Sequence, residues 1–200
     1  MRDSATRRII SRLRYTEVNS KKEITGYDAV YFVKTDTEIE LWLGQAKSGK
    51  DTYCKTGIID DLNNKYKKEY FADLLFYLAD RSEAKDLEEF LHGINKICFE
   101  ALAKGLTKDE KANRIVKYLK DSHVKLKIPC LMTYTKDIYQ DKNTLKTMVE
   151  QEISRIANSI DSHVFPIEIT DNYEIVFYIM PVANIEYVRE QIAKFKGGSV

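Results

Sequence analysis

Asp28-Ala-Val-Tyr-Phe32 and Glu38-Ile-Glu-Leu-Trp-Leu-Gly-Gln-Ala-Lys47, joined by the polar tip Lys34-Thr-Asp-Thr37, decide how this chain is read. Both runs are rich in β-branched and aromatic residues, and so brief a polar link between them predicts an antiparallel hairpin with strands over about 28–34 and 38–47. Side chains alternate between the faces of a strand. Ile39, Leu41, Leu43, Gln45 and Lys47 therefore share one face, and Glu38, Glu40, Trp42 and Gly44 the other. Asp28 shares a face with Val30 and Phe32. In an antiparallel hairpin the start of the first strand lies beside the end of the second, so Asp28, Gln45 and Lys47 are expected together at one sheet edge.

Such a cluster suits phosphodiester hydrolysis. A hard cation such as Mg²⁺ is held by a few protein oxygens while it keeps water and phosphate ligands. It activates water and offsets charge in the transition state. A neighbouring lysine adds positive charge and orients or deprotonates the attacking water. On this reading Asp28 is the anionic ligand, the Gln45 side-chain oxygen a neutral second ligand, the Ala46 carbonyl a third, and Lys47 the catalytic amine. The competing reading makes Asp28 a turn cap and Gln45 and Lys47 the solvated end of a strand. Spacing alone leaves both open.

Around this hairpin the chain alternates strand and helix character. Residues 4–14, with Ile9, Ile10 and Leu13, read as the tail of a helix. Ile58, Ile59, Leu62, Tyr66, Phe71, Leu74, Leu75 and Leu78 recur every three or four residues and mark a long helical region. A second helix is expected from an N-cap at Ser82 to a stop at Gly105, and Thr107-Lys-Asp-Glu110 is a capping box opening a third. Val124 to Tyr134 reads as a strand with a continuously apolar second half, hence covered on both faces. A helix over about 143–160, strands over Val164–Ile169 and Tyr173–Met180, and a final helix through Ile185, Val188 and Ile192 complete the order. The expectation is one α/β domain over 1–200, with a mixed sheet flanked by helices, an N-terminal hairpin, and a helical insertion at about 82–120 between the second and third strands.

Composition narrows function less. Thirty-two Lys and Arg against 31 Asp and Glu leave a net charge of +1, so a polyanion-binding face has to come from clustering. Lys65, Lys67 and Lys68 with Tyr66 and Tyr70, and the arginines at 7, 8, 12 and 14, are candidates for phosphate contact, although the acids interleaved near the lysines fit an ordinary solvated helix face. Cys54, Cys98 and Cys130 are widely spaced and read as reduced, buried thiols. His92, His123 and His163 lack ligand spacing, and neither a Walker A nor a GxGxxG phosphate loop is present. No apolar run approaches the ~20 residues of a membrane span, and no signal peptide is visible, so a cytoplasmic protein is expected.

Gly26-Tyr-Asp-Ala-Val-Tyr and Leu41-Trp-Leu-Gly-Gln-Ala-Lys47 resemble the core of the HamA family, the nuclease component of the bacterial Hachiman anti-phage system. Ile128-Pro-Cys-Leu-Met-Thr-Tyr134 and Tyr178-Ile-Met-Pro-Val182 also look like that family's strands, so the resemblance spans about 26–182. It implies a restriction-endonuclease-like fold of the PD-(D/E)XK superfamily and DNA cleavage dependent on Mg²⁺ or Mn²⁺. It also implies a partner superfamily 2 helicase of the HamB type; homo-oligomerisation is left open. By position Asp28 matches the family's first metal-binding acid and Lys47 its lysine. Gln45 stands where the family pattern has glutamate, which makes this chain a QxK variant. An upstream acidic helix is incomplete here, with only Glu17 and Glu23 near the hairpin. These two departures define the alternative: a catalytically degenerate module that binds DNA or the helicase without cutting.

Overall fold

The computed structural model describes residues 6–11, 26–34, 38–79 and 88–197. Its five strands are β1 (Thr6–Ser11), β2 (Ala29–Lys34), β3 (Ile39–Gly49), β4 (Lys125–Thr135) and β5 (Tyr173–Val182). The helices are α1 (Asp51–Asn64), α2 (Lys68–Ala79), α3 (Glu88–Ala103), α4 (Lys108–Asp121), α5 (Leu145–Ile160) and α6 (Ile185–Gly197). The strands form one sheet in the order β1-β2-β3-β4-β5. β1 pairs antiparallel with β2, and β2 with β3. The Leu126 N–H, near the start of β4, donates to the carbonyl of Asn172, just before β5, and the Lys136 N–H, just past the end of β4, donates to the carbonyl of Val182 at the end of β5. Start meets start and end meets end, so β4 and β5 are parallel and the sheet is mixed.

The expected hairpin is β2–β3. Its ladder pairs Ala29 with Gly44, Val30 with Leu43, Phe32 with Leu41 and Lys34 with Ile39. Val30, Phe32, Leu41 and Leu43 are all buried, as alternation requires of the apolar face. On the other face the Trp42 indole donates to Glu40 at 2.8 Å.

The described residues fall into two compact units. The first takes residues up to Gln45 together with Asp61–Pro129 and Phe165–Val176. In it α2, α3 and α4 pack on one another. Lys111 and Lys68 of α4 and α2 pair with Asp73 and Asp109 across that contact, at 2.6 and 2.7 Å. The Thr107 capping box opens α4 as the sequence predicts, with the Thr107 side chain and the Glu110 carboxylate each accepting from the other's backbone N–H. Gly105 takes a φ of +62°, the left-handed conformation that ends a helix most cheaply when the residue is glycine. The second unit comprises Ala46–Asp60, Cys130–Val164 and Phe177–Val200. Its buried residues include Cys54, Ile58, Met132, Tyr134, Ile156 and Ile185. Cys54, Cys98 and Cys130 are free and buried, as expected.

Three expectations are corrected. The N-terminal segment is not helical: Thr6–Ser11 pairs with β2, Thr6 facing Lys34 and Arg8 facing Phe32. Six residues are too few for the 3.6-residue and two-residue periods to be told apart, and the unpaired edge of β2 decides. Val164–Ile169 forms no strand. Pro166 has no N–H for a ladder, and the Glu168 N–H donates at 3.1 Å to the carbonyl of Tyr66, a turn rather than a strand. The single helical region read from residue 58 onward resolves into α1 and α2, broken at residues 65–67, where Tyr66 is buried and its hydroxyl donates to the Leu43 carbonyl at 2.8 Å. Ser82, Glu17, Glu23, Arg12 and Arg14 lie outside the described residues. With β1 counted, the helical insertion stands between β3 and β4.

Gly44 is the tight point of the hairpin. A Cβ there would lie 3.2 Å from the Ala29 Cβ and 3.3 Å from the Pro129 ring. Gly44→Val is expected to cost about 1–3 kcal/mol by overpacking, read as a lower urea midpoint with an unchanged m-value.

Candidate functional site

Within the first unit, Asp28 is positioned by the residues on either side of it. Tyr27 is buried, stands 5.2 Å from Tyr66 ring to ring, and donates its hydroxyl to the Lys65 carbonyl at 2.6 Å. Burial pushes the Tyr27 phenol well above its ordinary pKa, so it remains a donor. The Asp28 N–H donates to the Gly44 carbonyl at 2.9 Å. Asp28 is thereby set opposite Gly44, which also pairs with Ala29 and directly precedes Gln45 on the facing strand. Their surroundings differ: Asp28 is exposed, whereas Gln45 is only 2% exposed. Gln45 is therefore not the solvated end of a strand.

What holds Gln45 is a lysine. The Lys65 ammonium donates to Gln45 Oε1 at 3.1 Å and to the Gly26 carbonyl at 2.9 Å, and pairs with Asp61 Oδ1 at 3.0 Å. Three protons meet three oxygens, which satisfies the ammonium completely. Gln45 Nε2 is buried without a hydrogen-bond partner among the described residues. An orphaned buried donor costs roughly 1–3 kcal/mol, a penalty a carboxylate at this position would not carry. Sequence reading left Lys65 between a phosphate contact and an ordinary solvated helix face; instead Lys65 is turned into the protein, Lys68 pairs with Asp109, and Tyr66 is buried. The spacing of Asp61 and Lys65, one helical turn apart, was the available signal for the ion pair; nothing in the sequence linked either to Gln45.

Gln45 ends the first segment of the first unit, and β3 continues as Ala46, which is exposed, and the half-buried Lys47. Gln45 and Lys47 are two apart on one strand and so share a face. In the second unit, a Cβ at Gly57 of α1 would lie 3.0 Å from Lys47 Cε and 3.2 Å from Cδ. The lysine stem thus runs along the helix backbone where Gly57 leaves room for it. Glycine inside a helix costs roughly 0.5–1 kcal/mol relative to alanine, so its presence here has a packing reason.

The second unit also holds a charged cluster that sequence reading missed. Glu152 of α5 is 3% exposed. Its carboxylate accepts from the Tyr134 hydroxyl at 2.6 Å, from Arg155 Nη2 at 2.7 Å and Nε at 3.0 Å, and from the Lys136 ammonium. Arg155 Nη2 also reaches Asp51 at 3.0 Å. The Arg155 hydrogen bonds, with help from Lys136 and Tyr134 against the cost of burial, hold the Glu152 pKa down at about 2. A carboxylate so strongly ionised is a clamp between β4 and α5 and not a general acid at neutral pH. Because its folded pKa lies below the unfolded value, its stabilisation is complete above about pH 5 and fades as pH falls towards 2. We expect a loss on the order of 3 kcal/mol over that window in acid-unfolding curves, and a flatter curve for Glu152→Gln.

Among the described residues, no three His, Cys, Asp or Glu side chains are gathered closely enough to hold a metal ion, and no helix is long and apolar enough to cross a membrane. No curated protein and no solved structure matches the chain. The HamA family profile, by contrast, matches residues 3–195 of the 200. That match takes in all five strands, helices α1 to α5 and most of α6. The chain is a member of the HamA family of Hachiman anti-phage defence proteins.

Proposed function

We propose that this protein hydrolyses phosphodiester bonds of DNA during anti-phage defence, with a superfamily 2 helicase as its partner. The observation that supports the reading is the Asp28 N–H bond to the Gly44 carbonyl, which holds Asp28 against the strand that runs on through Gln45 to Lys47. The Lys47 amine is the group that faces the scissile phosphate, offsets its charge and orients or deprotonates water. The half-buried stem against Gly57 restricts where that amine can go, which reduces the ordering needed when substrate binds.

Mg²⁺ or Mn²⁺ is the proposed cofactor. Asp28 and the Ala46 carbonyl are hard oxygens suited to it, whereas the Gln45 oxygen does not fit, because it already accepts from the Lys65 ammonium. Bound there, the cation supplies Lewis-acid activation of water and phosphate. The mismatch at Gln45 favours a second reading, a nuclease-fold module that binds DNA or the helicase without cutting.

The two readings separate on plasmid and linear DNA incubated with Mg²⁺, Mn²⁺ or EDTA, with and without the helicase. Cleavage is expected with metal, to be abolished by EDTA, and to fall by at least about 100-fold in Lys47→Ala. Cleavage that survives Lys47→Ala refutes the assignment of the amine. If no condition gives cleavage and the protein retards DNA or the helicase, the binding reading stands.

A second substitution tests positioning. Gly57→Val crowds the lysine stem and is expected to lower the cleavage rate while leaving DNA binding within about twofold, a split that a general folding defect does not produce.

A further inference from the structure

Gln45, Asp61 and Gly26 together present an oxygen cradle of one carboxylate, one amide and one main-chain carbonyl, and all three oxygens lie 2.9–3.1 Å from a single point, the Lys65 nitrogen. Oxygens of these three kinds are what a hard divalent cation takes. We propose that Lys65 is a tethered counter-cation: its ammonium fills this cradle and keeps a divalent ion off Gln45, and the cradle accepts Mg²⁺ or Mn²⁺ once the ammonium is withdrawn.

Burial and charge both support the assignment. The Lys65 and Asp61 side chains are 19% and 13% exposed, and Gln45 less than either, so the cluster is largely shielded from water. A divalent ion and an ammonium cannot share the Gln45 oxygen at this separation, since two cations a few ångströms apart in a shielded place repel strongly. The orphaned Gln45 Nε2 is a second, independent sign. A residue chosen only to bind Lys65 would be glutamate, which leaves no buried donor unsatisfied and adds an ion pair. The amide instead keeps the cluster neutral, one positive charge against one negative, and so keeps the ammonium's hold on position 45 weak enough to be exchanged. The proposal takes only the location of the cradle from the nuclease reading, and its tests involve no cleavage. Failure of either therefore leaves the other to be judged separately.

The direct test is Mn²⁺ binding by electron paramagnetic resonance on the whole chain. Lys65→Met is expected to bind one more Mn²⁺ than wild type, and Lys65→Met/Asp61→Asn to lose that extra ion. Equal binding by wild type and Lys65→Met overturns the proposal, as does extra binding that survives Asp61→Asn. Thermal melting supplies a test that does not require Lys65→Met to fold. In the wild-type background, Gln45→Glu is expected to melt no lower than the parent, because the new carboxylate meets the ammonium. A drop of roughly 5 °C or more, the signature of a buried carboxylate left without compensation, overturns it.

Discussion

The ladder between β2 and β3 is the constraint on which the candidate site depends. Six pairs, Ala29 with Gly44 through Lys34 with Ile39, fix the register, and a slip of one residue would turn every side chain of a strand to the other face. Such a slip would expose Val30 and Phe32, both buried, and so carries a penalty of several kcal/mol on apolar area alone. The apolar half of the hairpin thus pins its polar end. Asp28 and Gln45 flank a ladder whose buried pairs, Val30 with Leu43 and Phe32 with Leu41, hold the register, and Gly44 lets Ala29 and Pro129 close on the strand where a side chain would keep them apart.

This division of labour explains what the sequence revealed. Alternation assigned Leu41 and Leu43 to one apolar face of an antiparallel hairpin, and both are buried opposite Phe32 and Val30. The capping box at Thr107 and the stop at Gly105 were equally readable, because each acts within one turn of chain and needs no distant partner. Features that depend on a partner from elsewhere were not. Thr6–Ser11 is a strand because β2 offers an edge, and Val164–Ile169 is irregular because Pro166 and the Tyr66 carbonyl draw its backbone away from the sheet. The Glu152 clamp joins residues 134, 136, 152 and 155, of which only Glu152 and Arg155 share a helix face.

At the site, the residues were legible and their environments were not. Asp28, Gln45 and Lys47 could be named from strand spacing and from the HamA resemblance, and membership of that family follows from the match over residues 3–195. Spacing placed all three at one sheet edge and left open whether Gln45 and Lys47 are a solvated strand end. A helix turn carrying Asp61 and Lys65 covers Gln45, and Gly57 gives Lys47 a helix backbone to lie against. Neither contact leaves a trace in the local pattern, since Lys65 is twenty residues and Gly57 ten residues beyond its partner on β3.

Gln45 and Lys65 are best understood as one unit. A glutamine where the HamA resemblance leads one to expect glutamate is usually read as loss of a metal ligand, which treats position 45 alone. Beside an ammonium at 3.1 Å, a glutamate would share Lys65 with Asp61, and the stronger ion pairing would hold that ammonium more tightly against any incoming cation than the amide does. What matters for a divalent ion is the strength with which the cradle holds its resident ammonium, and an amide loosens that hold at the expense of an unsatisfied Nε2. The glutamine that looks like the defect of this site is, on electrostatic grounds, the residue that keeps its resident cation exchangeable.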